Sequence, residues 1–197
     1  SLGIALCCWL LPPVSHAKPY NIYVCRYGMD EGLPHRQVNS ILQDKRGFIW
    51  IATDGGVARF DGRKFKVFNQ LENGLGSDKV NWLAEDAAGN IWAGGEASDR
   101  CVSIINPVSD VVTPFQRFFK DQAGSVTVRN WMQAPQPLAD GTLLIWDSEA
   151  NGFFTYHPEN GWRFRRIENI TDSKLVRITS RETVWCIYQD VRSAQVV

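Results

Sequence analysis

An all-β fold built from short four-stranded antiparallel sheets, repeated along the chain, is predicted by three features of the sequence. The apolar runs between Gly32 and Phe68 are short and separated by Asp/Gly turns, too often interrupted for helices. A shift of 42 residues lays this stretch on a second copy without a gap. It pairs Gly32 with Gly74, Leu33 with Leu75, Val38 with Val80, Asn39 with Asn81, Asp44 with Asp86, Gly47 with Gly89, Ile49 with Ile91 and Trp50 with Trp92. Finally, eight Trp and ten Phe suit stacked sheets, where aromatic rings pack between layers.

The 197 residues, 44% hydrophobic and 21% charged, have the balance of a folded chain. Basic and acidic residues number 21 each and are interspersed, so the net charge of zero disfavours a nucleic-acid footprint or a polybasic membrane patch. Residues 1–17 are apolar, uncharged apart from His16, and end in Ser15-His16-Ala17, the small-x-small form of a signal-peptidase site. They read as a secretory signal whose start lies upstream, since an initiator Met and a basic n-region are missing. Lipidation at Cys7 or Cys8 is disfavoured, because neither Leu6 nor Cys7 is the usual small neighbour of an acylated Cys. Cys25, Cys101 and Cys186 remain, odd in number and without metal-ligand spacing, and are expected as small buried hydrophobes. No cofactor or metal is expected.

A strand is predicted from Tyr20 to Tyr27, in register with the fourth strand of the first unit, Phe65–Asn69. The first unit reads as strands Val38–Gln43, Phe48–Thr53, Val57–Phe60 and Phe65–Phe68. Asp44 to Gly47 suits a type I turn, with Asp bonding the turn backbone and Gly closing it, while Asp54-Gly55-Gly56 and Asp61-Gly62 tolerate positive φ. Asp44 and Asp86 are thus given structural, not catalytic, work. The second unit reads as Val80–Glu85, Asn90–Gly94, Cys101–Ile105 and a fourth strand around Val111–Phe119, with a longer loop at 96–100.

A third unit is fainter. Asn130-Trp131-Met132 matches Asn81-Trp82-Leu83, residues 134–138 lengthen its first hairpin, and Asp140 to Ile145 match the turn and second strand, with Leu144 where the Trp stands. Asn160 to Phe164 repeat Asp61 to Phe65. Val184 to Asp190 matches Val38 to Asp44 and so opens a fourth unit as its first strand.

Four-stranded units recurring every 42 to 52 residues, with an N-terminal strand awaiting a distant partner, specify a β-propeller. Residues 18–197 are expected to form part of one, with blades over 32–70, 74–119, 125–169 and an incomplete one over 184–197. At roughly 45 residues a blade, a seven-bladed ring needs roughly 300 residues, so the chain reads as a fragment with one bare blade face. Face-to-face blades bury both sides of a strand, as the continuous run Phe48 to Ala52 requires. Trp50 and Trp92 are placed between blades.

The blade motifs discriminate among propellers. Trp146-Asp147 lacks the Gly-His of WD repeats, and Gly55-Gly56 alone does not make a kelch blade. Asp44-Gly47-Trp50 and Asp86-Gly89-Trp92 are loosely like the sialidase Asp-box but lack its Ser and Thr. Residues 32–62 resemble the two-component regulator propeller repeat nearly throughout: Gly32-Leu33, Val38, Ile41, Asp44, Gly47, Ile49-Trp50-Ile51, Thr53, Gly55-Gly56-Val57 and Arg59-Phe60-Asp61-Gly62. The second unit matches in its first half, and the third departs most. The resemblance implies the periplasmic sensor of a one-piece or hybrid two-component receptor. In such receptors, propellers precede a β-sandwich, a transmembrane helix and a histidine kinase or DNA-binding output, in a homodimer anchored in the inner membrane. Ligands are often oligosaccharides.

That reading makes this chain a sensing segment without turnover of its own. The expected ligand rim is formed by the fourth-to-first and second-to-third loops, with His35, Arg36, Asp54, Asp78, Lys79, Asp99 and Arg100 as candidates. One alternative is a structural or protein-interaction propeller, since fold alone does not choose the partner. The other is a propeller lyase or glycosidase, which needs a converging carboxylate pair or an acid/base His. His35 and His157 fall on opposite rims in this reading and no pair converges.

Overall fold

The computed structural model describes residues 24–95, 101–120, 134–147, 152–166, 173–178 and 184–188. Three four-stranded antiparallel sheets follow one another, each a meander in sequence order. The first comprises β1 (Val38–Gln43), β2 (Ile49–Thr53), β3 (Gly56–Phe60) and β4 (Phe65–Phe68). A one-turn helix, α1 (Gln70–Asn73), leads to β5 (Trp82–Glu85), β6 (Ile91–Gly94), β7 (Ser103–Ile105) and β8 (Val112–Pro114). The third sheet, after α2 (Phe115–Lys120), contains β9 (Gln136–Pro137), β10 (Leu143–Asp147), β11 (Gly152–His157) and β12 (Gly161–Arg166). A hairpin of β13 (Ser173–Ile178) and β14 (Val184–Tyr188) follows.

The expected turn chemistry is present. Gly47 N–H donates to the Asp44 carbonyl at 2.9 Å with Gly47 at φ 89°, and Gly89 repeats this at Asp86 with φ 82°. Gly56 sits at φ 115°, where a Cβ would also collide with the Phe68 carbonyl, so the β2–β3 turn accepts no other residue without strain.

Apolar clusters form between sheets. Trp50, Ala52, Val57 and Phe68 of the first sheet pack with Leu83, Ile91, Ala93 and Ile105 of the second and with Leu75 and Val80 of the link between them. Trp92 and Ile104 of the second, with Val102 just ahead of β7, pack with Leu143, Ile145, Phe154 and Tyr156 of the third. The two tryptophans therefore lie in successive seams, as their shared repeat position predicts. Each is fully buried and tied to its own turn. Trp50 Nε1–H donates to Asp44 Oδ2 at 2.8 Å, and Trp92 Nε1–H to Asp86 Oδ2 at 3.0 Å. The other oxygen of Asp44 accepts the Arg46 and Phe48 N–H groups, both at 2.9 Å. One carboxylate thus closes the turn and holds the ring that fills the seam.

The first sheet's other face is open. Ile41 is 65% exposed, and Tyr27 leans on Phe60 and Phe65 with ring centroids 4.7 and 6.1 Å away. So this sheet buries one face, and β1 lies on a bare blade face of the kind the sequence leads one to expect.

Several expectations need correction. Residues 24–27 form no strand, and the rest of the Tyr20–Tyr27 segment lies outside the described residues. Cys25 is exposed and Cys101 half-buried, so neither is a core residue. The fourth strand of the second sheet stops at Pro114, although the Phe115 N–H still donates to the Val102 carbonyl at 3.0 Å, and Phe115–Lys120 is helical.

In the third sheet, Leu143 pairs with Pro137 and Leu144 with Gln136, as Ile49 pairs with Gln43 and Trp50 with Leu42. The first strand therefore runs straight into the turn, and its hairpin is not lengthened; Asn130 to Met132 lie outside the described residues. Val184 to Tyr188 is not a first strand. It pairs with Ser173–Ile178, and both this hairpin and β1–β2 shift register near the far end of the first strand, between Ser173/Leu175 and Val38/Ser40. That register puts Trp185 opposite Arg177, where Trp50 stands opposite Leu42, so β14 is the second strand of a fourth unit. The apolar pattern of Val184–Tyr188 fits either strand, and only pairing separates them.

Candidate functional site

At one rim, three segments meet. These are the link before β1, the β2–β3 turn of the first sheet, and the link from α1 to β5. Gly56 N–H donates to the Asp78 carbonyl at 2.7 Å and Val80 N–H to the Thr53 carbonyl at 3.0 Å, so the second sheet's link is stitched along the first sheet's turn. Thr53 Oγ1 accepts from Gly55 N–H at 3.0 Å and donates to the Gly56 carbonyl at 2.8 Å, bracing the turn from beneath.

Asn39 joins the two sheets. Its Nδ2 donates to Asp54 Oδ1 at 2.7 Å and to the Val80 carbonyl at 2.9 Å, while Gln37 Nε2 reaches its Oδ1 at 3.4 Å. Asp78 Oδ1 accepts the Gln70 N–H at 2.7 Å and fastens the start of α1. The helix is capped by Asn69, whose side chain accepts the Glu72 N–H, and ends at Gly74 in the left-handed region. His35 Nδ1 accepts the Gln37 N–H at 3.0 Å, which leaves Nε2 as its other polar atom.

The structure therefore brings His35, Arg36, Asp54, Asp78 and Lys79 to one rim, while Asp99 and Arg100 lie outside the described residues. Asp54 and Asp78 spend carboxylate oxygens on the scaffold. Arg36 and Lys79 are exposed, and His35 is half-buried. Asn39 and Gln37 are the rim residues not among the predicted candidates. The recurrence of Asn39 as Asn81 was the signal available for one of them.

The opposite rim carries an ionic cluster. Arg59 Nη1 donates to Asp110 Oδ1 at 2.7 Å and to the Pro107 carbonyl at 2.9 Å, and Lys66 Nζ meets Asp110 Oδ2 at 2.6 Å. Burial opposes ionisation of Asp110, but the Lys66 hydrogen bond and the charges of Arg59 and Lys66 outweigh it and hold the carboxyl below its usual range. Asp61, in the β3–β4 turn, is lowered by the backbone N–H groups of Lys64 and Arg63. His157, at the end of β11, lies apart from the rim that holds His35. Among the described residues no cluster of His, Cys, Asp or Glu could hold a metal ion, and no helix is long and apolar enough to cross a membrane.

Consecutive four-stranded meanders stacked with an aromatic in each seam define a stretch of β-propeller. Residues 32–55 and 74–97 match the two-component regulator propeller family. Among solved structures, the extracellular domain of a hybrid two-component system from B. thetaiotaomicron is similar, with a TM-score of 0.54 and 17% identity. The match covers 82% of this chain and 20% of that one. A second such domain from the same organism gives a TM-score of 0.48 and 16% identity over 84% of this chain and 30% of that one. A catalytically inactive virginiamycin B lyase from Staphylococcus aureus gives 0.48 and 12%, over 79% and 50%. The chain thus spans less than a third of the length of the two extracellular domains. No curated protein matches it.

Proposed function

We propose that the chain is a ligand-sensing segment of an exported two-component receptor, and that its ligand, an oligosaccharide, sits on the rim around His35, Arg36 and Lys79. The family repeat supports the receptor class. The observation that carries the binding reading is the lattice of Asn39, Asp54, Asp78 and Gly56. It fixes the loops of two sheets against each other and leaves Arg36 and Lys79 exposed beside them. Preformed polar loops on a rigid scaffold are what a hydroxyl-rich ligand needs. In this reading the receptor is periplasmic, anchored in the inner membrane and dimeric, with further blades and output domains supplied by the rest of the protein, and the propeller catalyses nothing.

A second reading, a protein-binding rim, is favoured by Leu71, which is 94% exposed on α1 of the same link. Calorimetric titration of the whole extracellular region with a library of polysaccharide fragments separates the two. Saturable heat from one sugar, weakened about tenfold by Arg36→Ala or Lys79→Ala, is expected. If no sugar gives heat and Leu71→Ser abolishes capture of a protein partner, the second reading replaces the first.

A further inference from the structure

The third sheet has exchanged both members of the pair that locks the other seams. Across the first sheet one line of paired residues, Leu42, Trp50, Arg59 and Lys66, faces the seam. Its counterpart in the third is Gln136, Leu144, Thr155 and Arg163. The turn ahead of β10 has the same backbone bonds as those ahead of β2 and β6. The Leu138 N–H donates to the Thr142 carbonyl and the Leu138 carbonyl accepts from the Gly141 N–H, as those of Asp44 do with Phe48 and Gly47. Leu138 thus stands where Asp44 and Asp86 stand, and Leu144 where Trp50 and Trp92 stand.

Removing an indole and its carboxylate leaves room. A cavity of about 380 Å³ lies there, with Leu138, Leu144 and Phe153 along its apolar side and His157, Asn160 and Arg163 along its polar side. Charge is unbalanced as well. Lys66, at the position of Arg163, meets Asp110, whereas among the described residues no carboxylate pairs with Arg163.

We propose that this cavity, distinct from the rim, binds a small organic acid with an aromatic body. The ring occupies the place of the missing indole against Leu138, Leu144 and Phe153, and the carboxylate turns to Arg163, with Asn160 as a neutral donor beside it. A cavity of this size suits a bicyclic or monocyclic acid and is small for an oligosaccharide. Arg is the side chain best shaped to hold a carboxylate through two parallel N–H bonds.

The test uses the full chain and two probes, indole-3-acetate and the neutral indole-3-acetamide, in calorimetry with shift changes followed by NMR. Saturable binding of the acid is expected. Arg163→Met should weaken the acid by about tenfold or more while leaving the amide unchanged. The double variant Leu138→Asp/Leu144→Trp, which rebuilds the pair, should lose both. The proposal is overturned if the acid shows no saturable binding at millimolar concentration, or if the double variant binds as the parent does. Should that variant not fold, equal affinity of the acid for the parent and Arg163→Met decides against it.

Discussion

Asp44 shows how much one side chain carries. Its two oxygens receive the Arg46 and Phe48 amides and the Trp50 indole N–H, and it is only 5% exposed. Asp44→Ala strands these donors in a place water barely reaches, where each unmet group costs on the order of 1–3 kcal/mol. We expect urea unfolding to show a loss of about 3 kcal/mol, with the Trp50 fluorescence maximum moving to the red; a loss under about 0.5 kcal/mol would mean that the pair does not lock the seam. The turn role of Asp44 was legible from Asp-x-x-Gly. The indole bond was not, because it depends on the hairpin placing Trp50 above the turn. Cys25 illustrates the opposite failure, since its apolar preference decided nothing where, among the described residues, no neighbouring sheet covers it.

Between elements, the first seam is held at its lower rim by Asp110. The residues it meets, Arg59 and Lys66, lie 51 and 44 positions away, so no local pattern could reveal the contact. Asp110 adopts φ 58°, a left-handed conformation that Asp and Asn tolerate better than most residues. Asp110→Asn therefore removes the charge with little backbone penalty. A carboxyl whose pKa is depressed by folding stabilises the fold above its unfolded value, about 3.9, and this contribution fades as pH falls through the lower folded value. The difference in melting temperature between parent and Asp110→Asn should accordingly be largest above about pH 4 and vanish in stronger acid. A difference that stays constant down to pH 2 would show that the ion cluster does not contribute through charge.

For the whole molecule, the open face of the first sheet has the most to say about behaviour in solution. Ile41 is 65% and Val38 38% exposed on a strand that is also a sheet edge, an arrangement prone to association. The full chain by itself should self-associate in light scattering, and Ile41→Lys should reduce that association without lowering the melting temperature by more than about 1 °C. A monodisperse parent would remove the basis for this expectation. The same face is the kind of surface on which a neighbouring blade packs in a propeller.

The repeat determined the fold class, the first sheet's strands to within a residue, and the seam position of both tryptophans. These follow from local alternation and turn residues, which act over a few positions and survive in Gly32 to Trp92 almost unchanged. Predicted rim residues from both repeats do meet, because a fixed blade spacing brings equivalent loops together. Tertiary structure alone decided the rest: that β14 is a second strand, that Asn39 bridges two blades, and that Leu138 and Leu144 jointly replace a buried pair. Each of these depends on which strand lies beside which, and hydrogen-bond register between strands is set by packing across the seam, not by the apolar pattern of either strand.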